Sequence, residues 1–247
     1  MDVTVNNKAD SSISVTASNA IVAASAATAT LTNEGTISAG VSRTVDFERA
    51  GEVTITNSGS SSSLSAGSFN ALYAASAKGS VSLTNEGAVR AYNRTVDFKD
   101  AEGSVTITNS GAIEATHSQA DAESSLELNF TIDASRGGTA SADVIVTNRA
   151  TGAITTNSDR AIGLRAFDSA NDTVLVTNEG TISAGRDKAL DLNGSREVTL
   201  TQGAGAILSA GRDLAVDATG ILTSLTIDNA GSILAGASSV GPSQGAI

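Results

Sequence analysis

Five aspartates carry the strongest chemical potential in this chain. Asp46, Asp97, Asp133, Asp191 and Asp217 each lie between two apolar residues, in V-D-F, V-D-F, I-D-A, L-D-L and V-D-A. Carboxylates stacked at one position of successive repeats can bind Ca²⁺, or divide the roles of general acid and base on a polysaccharide. Alternation points all five outward. Tyr73 and Gly163 interrupt the row, which leaves Asp191 and Asp217 as the pair expected on adjacent repeats. Arg186, Lys188 and Arg212 lie just before that pair and can neutralise it. The plainer reading of the row is a solvated face with ion pairing.

A second row consists of hydroxyls. Thr30/Thr32, Thr54/Thr56, Ser82/Thr84, Thr106/Thr108 and Thr199/Thr201 place two per repeat on one face. Such T-x-T arrays suit an ice-binding surface, but exposed strands favour threonine in any case. Ile145 and Leu175 interrupt this array. The single histidine, His117, stands in the polar stretch HSQADAESS beside Gln119, Asp121 and Glu123. One histidine without cysteine is a poor metal site, so no metal and no cofactor is expected, and His117 reads as a mobile surface residue. There is no G-x-S-x-G string and no phosphate loop, and no catalytic residue is assigned. The 117–125 segment is the candidate recognition loop, because long loops on rigid scaffolds often carry function.

These residues are positioned by a repeat of about 24 residues. Its unit is seen in VLVTNEGTISAGRDKALDLNGSRE from Val174 and again in VSLTNEGAVRAYNRTVDFKDAEGS from Val81. Each unit holds three short runs of period-two alternation, the mark of half-buried strands. Turn residues separate the runs, with Gly taken as a positive-φ position. One triplet cannot bury its apolar side alone, so copies must stack. The predicted fold is all-β: a right-handed, single-stranded parallel β-helix with three sheets and about nine rungs, roughly 43 Å long at one strand spacing per rung. Rungs begin near Val3, Ala29, Val53, Val81, Val105, Val144, Val174, Val198 and Leu225. The recurrent Asn of T-N-x-G, as in Asn57, is expected to point inward and to stack as an amide ladder, with Gln202 substituting once.

The 247 residues read as one domain. The interval from Val105 to Val144 is 39 residues, so about 15 extra residues must leave the coil, as an insertion placed at about 116–126. A second excursion is expected around Asp168–Asp172. The chain stops inside a third strand, without a cap, as a piece of a longer solenoid would. The net charge of −11 and the scattered Lys and Arg argue against nucleic acid as a partner. No apolar run is long enough to insert in a bilayer.

The string V-T-[IL]-T-N-[ES]-G-[TA]-I resembles the passenger domains of bacterial autotransporters. It is carried by Leu31–Ile37, Val53–Gly59, Val81–Val89, Val105–Ile113, Val174–Ile182 and Leu225–Ile233. The resemblance implies export through the outer membrane by a C-terminal β-barrel. Five Phe and two Tyr cannot form the aromatic girdles of such a barrel within these residues. It also implies an extracellular or cell-surface setting, with a non-enzymatic role as adhesin or structural stalk. Partners would be a host-cell or matrix molecule or glycan, or further copies of the chain. A carbohydrate-active β-helix using the aspartate row is the alternative, and ice binding a third.

Overall fold

Three parallel sheets wind into a β-solenoid. The computed structural model describes residues 1–117, 130–135, 143–157, 159–164, 173–221 and 223–236. Among them the first sheet has nine strands, the second nine and the third eight, and every pairing joins equivalent strands of adjacent rungs. Rung 4 illustrates the unit, with strands Val81–Asn85, Ala88–Ala91 and Val96–Asp97. The register carries no slip: Val81 lies against Val53 below and Val105 above, and Asn85 against Asn57 and Asn109. Nine rung starts were predicted, and the first-sheet strands fall on all nine. The third-sheet strands are shorter than predicted, two residues in most rungs, as at Ile21–Val22 and Leu72–Tyr73.

Alternation explains the core. In Glu52–Asn57, Val53, Ile55 and Asn57 are buried while Thr54 is exposed. A slip of one residue would turn the whole set outward, which fixes the register wherever one face is buried. The inward asparagines form the predicted ladder, and it has a direction. Each Nδ2 donates to the Oδ1 of the next rung, from Asn7 through Asn33, Asn57, Asn85, Asn109 and Asn148 to Asn178, over 2.7–2.9 Å. Asn178 then donates to Gln202 Oε1 at 2.9 Å. The ladder continues across both long intervals, so neither disturbs the first sheet.

At most rungs the glycine that follows the ladder residue serves a different purpose from the one expected. Gly59, after Asn57, does take a positive φ of 85°, but Gly35, Gly87, Gly111, Gly152 and Gly180 do not. At Gly111 a Cβ would stand 2.0 Å from the carbonyl oxygen of Gly87 in the rung below. Close stacking of turn on turn excludes any side chain there.

The surplus between Val105 and Val144 is divided. Fourteen residues separate Ala115 from Phe130 where four separate Ala91 from Val96, and ten separate Asp133 from Val144 where seven separate Asp97 from Val105. Gln119, Asp121, Glu123 and the 168–172 excursion lie outside the described residues. His117 is described, and it is not a free surface residue. It is half-buried at the end of the second sheet, its ring meeting Tyr92 edge-on with centroids 4.6 Å apart. Its backbone N–H donates to Tyr92 O at 2.8 Å, and its Nδ1 is buried with no hydrogen-bond partner among the described residues.

Candidate functional site

The third sheet and its flanking turns hold the charged groups. The aspartates do leave the core side, as alternation requires, but they are not solvated. None of Asp46, Asp97, Asp133, Asp191 and Asp217 exceeds 7% exposure, and Asp191 is fully buried. The outward, water-exposed row therefore needs correction, and the reason is visible in each carboxylate.

One oxygen ties down the turn that follows. Oδ1 accepts the backbone N–H two residues on: Glu48, Lys99, Ser135, Asn193 and Thr219, at 3.0–3.4 Å. The residue after that amide has positive φ in four of these turns, at Arg49, Asp100, Gly194 and Gly220. The aspartate thus holds the chain in a left-handed bend that non-glycine residues otherwise avoid.

The other oxygen is covered by the rung before. In the first seven rungs the residue three places ahead of the outward position reaches forward to the next rung. Asn19 Nδ2 donates to Asp46 Oδ2 at 3.0 Å, and Asn70 Nδ2 to Asp97 Oδ2 at 3.1 Å. Arg94 meets Asp133 at 3.5 Å, Arg160 meets Asp191 at 2.5 Å and Lys188 meets Asp217 at 2.6 Å. Arg43 lies over the Tyr73 ring, 3.4 Å from its centroid. The threonine two places ahead of the aspartate, in R-T-V-D twice and in F-T-I-D once, also reaches forward. Thr44, Thr95 and Thr131 are fully buried and donate to the carbonyls of Ser65, Glu114 and Thr155 in the next rung.

Gly163 obeys the same rule. Here the forward-reaching residue is Phe130, and a Cβ on Gly163 would stand 2.4–2.8 Å from three of its ring carbons. Gly163 makes room for an aromatic ring. Gly163→Ala is expected to cost about 1–3 kcal/mol by overpacking. The cost should shrink when Phe130→Leu is combined with it, as a double-mutant cycle in urea would measure.

Asp97 and Asp133 stand on adjacent rungs, in register. Asp191 and Asp217 are thus not the sole stacked pair. Arg94 serves both Asp97, at 3.3 Å, and Asp133. Burial pushes the Asp97 carboxyl above its ordinary range, Asp133 adds to this, and Arg94 opposes it. Burial pushes Asp217 up as well, but its bonds from Lys188 and Thr219 outweigh that and hold it at about 2. The two groups therefore contribute to stability with opposite sign. Asp97, raised, contributes stability that is present below pH 3.8 and is lost as pH rises through its folded value. Asp217, lowered, contributes stability present above pH 3.8 and lost as pH falls towards about 2. Urea midpoints against pH should show Asp97→Asn removing a downward slope that sets in above the ordinary carboxylate value of 3.8. Asp217→Asn should remove an upward slope between about 2 and 4, worth on the order of 2 kcal/mol.

One part of this surface is hollow. Rungs 2 and 4 carry the same string, Arg43–Phe47 and Arg94–Phe98, whereas rung 3 between them carries Phe69, Asn70 and Tyr73. A cleft of about 370 Å³ is lined by Arg43, Phe69, Asn70, Tyr73, Asn93, Arg94 and Asp97. A second hollow of about 190 Å³ lies between Asn19, Ser42, Arg43 and Phe69. Phe69 stands between the two and is 53% exposed. Sequence reasoning treated Tyr73 only as an interruption of the aspartate row and passed over Phe69. An aromatic pair between two identical R-T-V-D-F strings was the available signal.

The hydroxyl face is built as expected. Thr30, Thr54, Ser82 and Thr106 stand in one register-aligned row, continued by Ile145, Leu175 and Thr199. Among the described residues no group of three or more His, Cys, Asp or Glu is placed to hold a metal ion. The chain matches no known protein family, no curated protein and no solved structure.

Proposed function

We propose that the chain is a passenger segment of an autotransporter-like protein and acts outside the cell, without catalysis, as a stalk that presents adhesive surfaces. One observation carries this reading: an amide ladder through eight rungs and an unslipped register over nine make a rod whose length comes from repetition alone. Such a rod holds what it presents away from its point of attachment, and its turns and loops can vary without disturbing the core. The T-N-x-G strings supply the resemblance to passengers, and the forward-reaching pairs stiffen the third sheet.

The test is accessibility on intact cells of the source organism. An antibody against the chain should label unpermeabilised cells, and external protease should remove the label. Labelling that needs permeabilisation would contradict the proposal. A second reading is cleavage of a polysaccharide by third-strand aspartates. It draws on the raised carboxyl of Asp97 in the cleft wall. Release of reducing ends by the chain, abolished in Asp97→Asn, would favour it over the first.

A further inference from the structure

We propose that the cleft around Phe69 binds an uncharged saccharide chain lying along the solenoid axis. The inference deepens the adhesive reading and rests on it for its biological setting.

The ring of Phe69 stands in the open between two hollows that share it and Arg43. A half-exposed phenylalanine on a polar rim offers an apolar face to a ligand that is itself apolar on one side. A pyranose ring is such a ligand: its C–H face stacks on an aromatic ring, and its edge carries hydroxyls that both donate and accept. The rim suits those hydroxyls. The guanidinium groups of Arg43 and Arg94 supply donors, and Asn93, Ser42 and Tyr73 add an amide and two hydroxyls.

The charge balance selects an uncharged ligand. Arg43 is 2.9 Å from Asp46, and Arg94 is shared by Asp97 and Asp133. Three carboxylates thus stand behind two guanidiniums, so no excess positive charge faces the cleft, and the whole chain carries −11. A polyanion would meet repulsion on both counts.

Both guanidiniums are also held before any ligand arrives. Arg43 is fixed between Asp46 and the Tyr73 ring, and Arg94 between two aspartates, yet their side chains remain 30% and 23% exposed. Donors already ordered lose little freedom on binding. The volume falls within the roughly 300–1,000 Å³ of ligand pockets. The lining comes from four consecutive rungs: Asn19, then Ser42 and Arg43, then Phe69, Asn70 and Tyr73, then Asn93, Arg94 and Asp97. A groove crossing rungs at about 4.8 Å per step accepts a run of sugar rings end to end, where one isolated ring would fill only part of it.

The test uses the full chain against uncharged cello-, malto-, xylo-, manno- and chito-oligosaccharides of increasing length, by saturation-transfer NMR and calorimetry. At least one series should bind, more tightly as it lengthens, and without loss in 0.5 M salt. Phe69→Ala should weaken binding about tenfold, whereas Tyr92→Ala, an exposed aromatic outside both hollows, should not. Both residues are about half exposed; Tyr92→Ala also loses the edge-on contact with His117, so thermal melts of both variants confirm that the proteins compared are folded. No binding at millimolar concentration, binding unchanged by Phe69→Ala, or binding of acidic saccharides alone would each overturn the proposal. Surface labelling is a separate readout. Labelled cells with no saccharide binding would remove the cleft and keep the stalk, and binding without surface labelling would remove the setting.

Discussion

Asn85→Ala is expected to lower the unfolding free energy by about 3–5 kcal/mol. Asn85 is fully buried in the middle of the ladder. Its Nδ2 donates to Asn109 Oδ1 at 2.8 Å, with the carbonyls of Gly87 and Ala112 at 3.1 and 3.2 Å, and its Oδ1 accepts from Asn57 at 2.7 Å. Alanine removes all four contacts. It leaves Asn57 without its ladder acceptor and Asn109 without its ladder donor, in a space closed to water. An unsatisfied buried group costs about 1–3 kcal/mol, more than a hydrogen bond contributes when made. Asn7→Ala is the internal comparison. Asn7 stands at the start of the ladder and donates to Asn33, so its removal leaves one ladder acceptor without a donor and should cost less than half as much. Urea unfolding of the two variants, with hydrogen exchange to localise the loss, measures the difference. Equal costs would show that the ladder adds nothing beyond packing.

Arg160→Met is expected to cost about 3–5 kcal/mol, with much of it regained in Arg160→Met/Asp191→Asn. Asp191 has no exposure and Arg160 only 6%. Arg160 Nη1 lies 2.5 Å from Asp191, and its Nε lies 2.8 Å from Asp187. Removing one partner of a buried ion pair leaves the other charge in a medium that solvates it poorly, which is worse than losing both. The surface pair Arg90–Glu114, at 2.9 Å and half in solvent, provides the contrast: Arg90→Met should change stability by less than about 1 kcal/mol. Thermal melts of the four proteins give both results. If Arg160→Met were as mild as Arg90→Met, the aspartate row would be a solvated face after all.

The contrast between these two sites shows what was legible in the sequence. Period-two alternation put Asn85 and its equivalents inside, and the constancy of amides there pointed to a ladder, because both facts are local to a strand and repeat with it. Alternation also put Asp191 on the outer side of its strand, correctly. It said nothing about what covers that side. The cover comes from the preceding rung, 27–31 residues earlier for Asn70 on Asp97 and Arg160 on Asp191, at a distance that changes with every loop. The pattern becomes visible only when rungs are aligned on the outward position and the residue three before it is read against the next rung. Read that way, Tyr73 and Gly163 are members of the row, one carrying Arg43 and the other making space for Phe130. The 117–125 segment was legible as an interruption of the period, but alternation carries no information on a segment that lacks it.

The ladder, the forward-reaching pairs and the cleft all depend on rungs stacked in one register, and engineered cysteines test that register directly. The chain has no cysteine of its own, so any disulfide reports the introduced pair. Thr56 and Thr84 face each other across rungs 3 and 4, at about 4.8 Å between Cα atoms, within the roughly 4.4–6.8 Å that a disulfide spans. The Thr56→Cys/Thr84→Cys protein should oxidise rapidly to a cross-linked form while native. The Thr56→Cys/Ser82→Cys protein, displaced by two residues on the same face, should oxidise much more slowly. Equal rates for the two, or faster closure of the displaced pair, would contradict the stacking on which the rest is built.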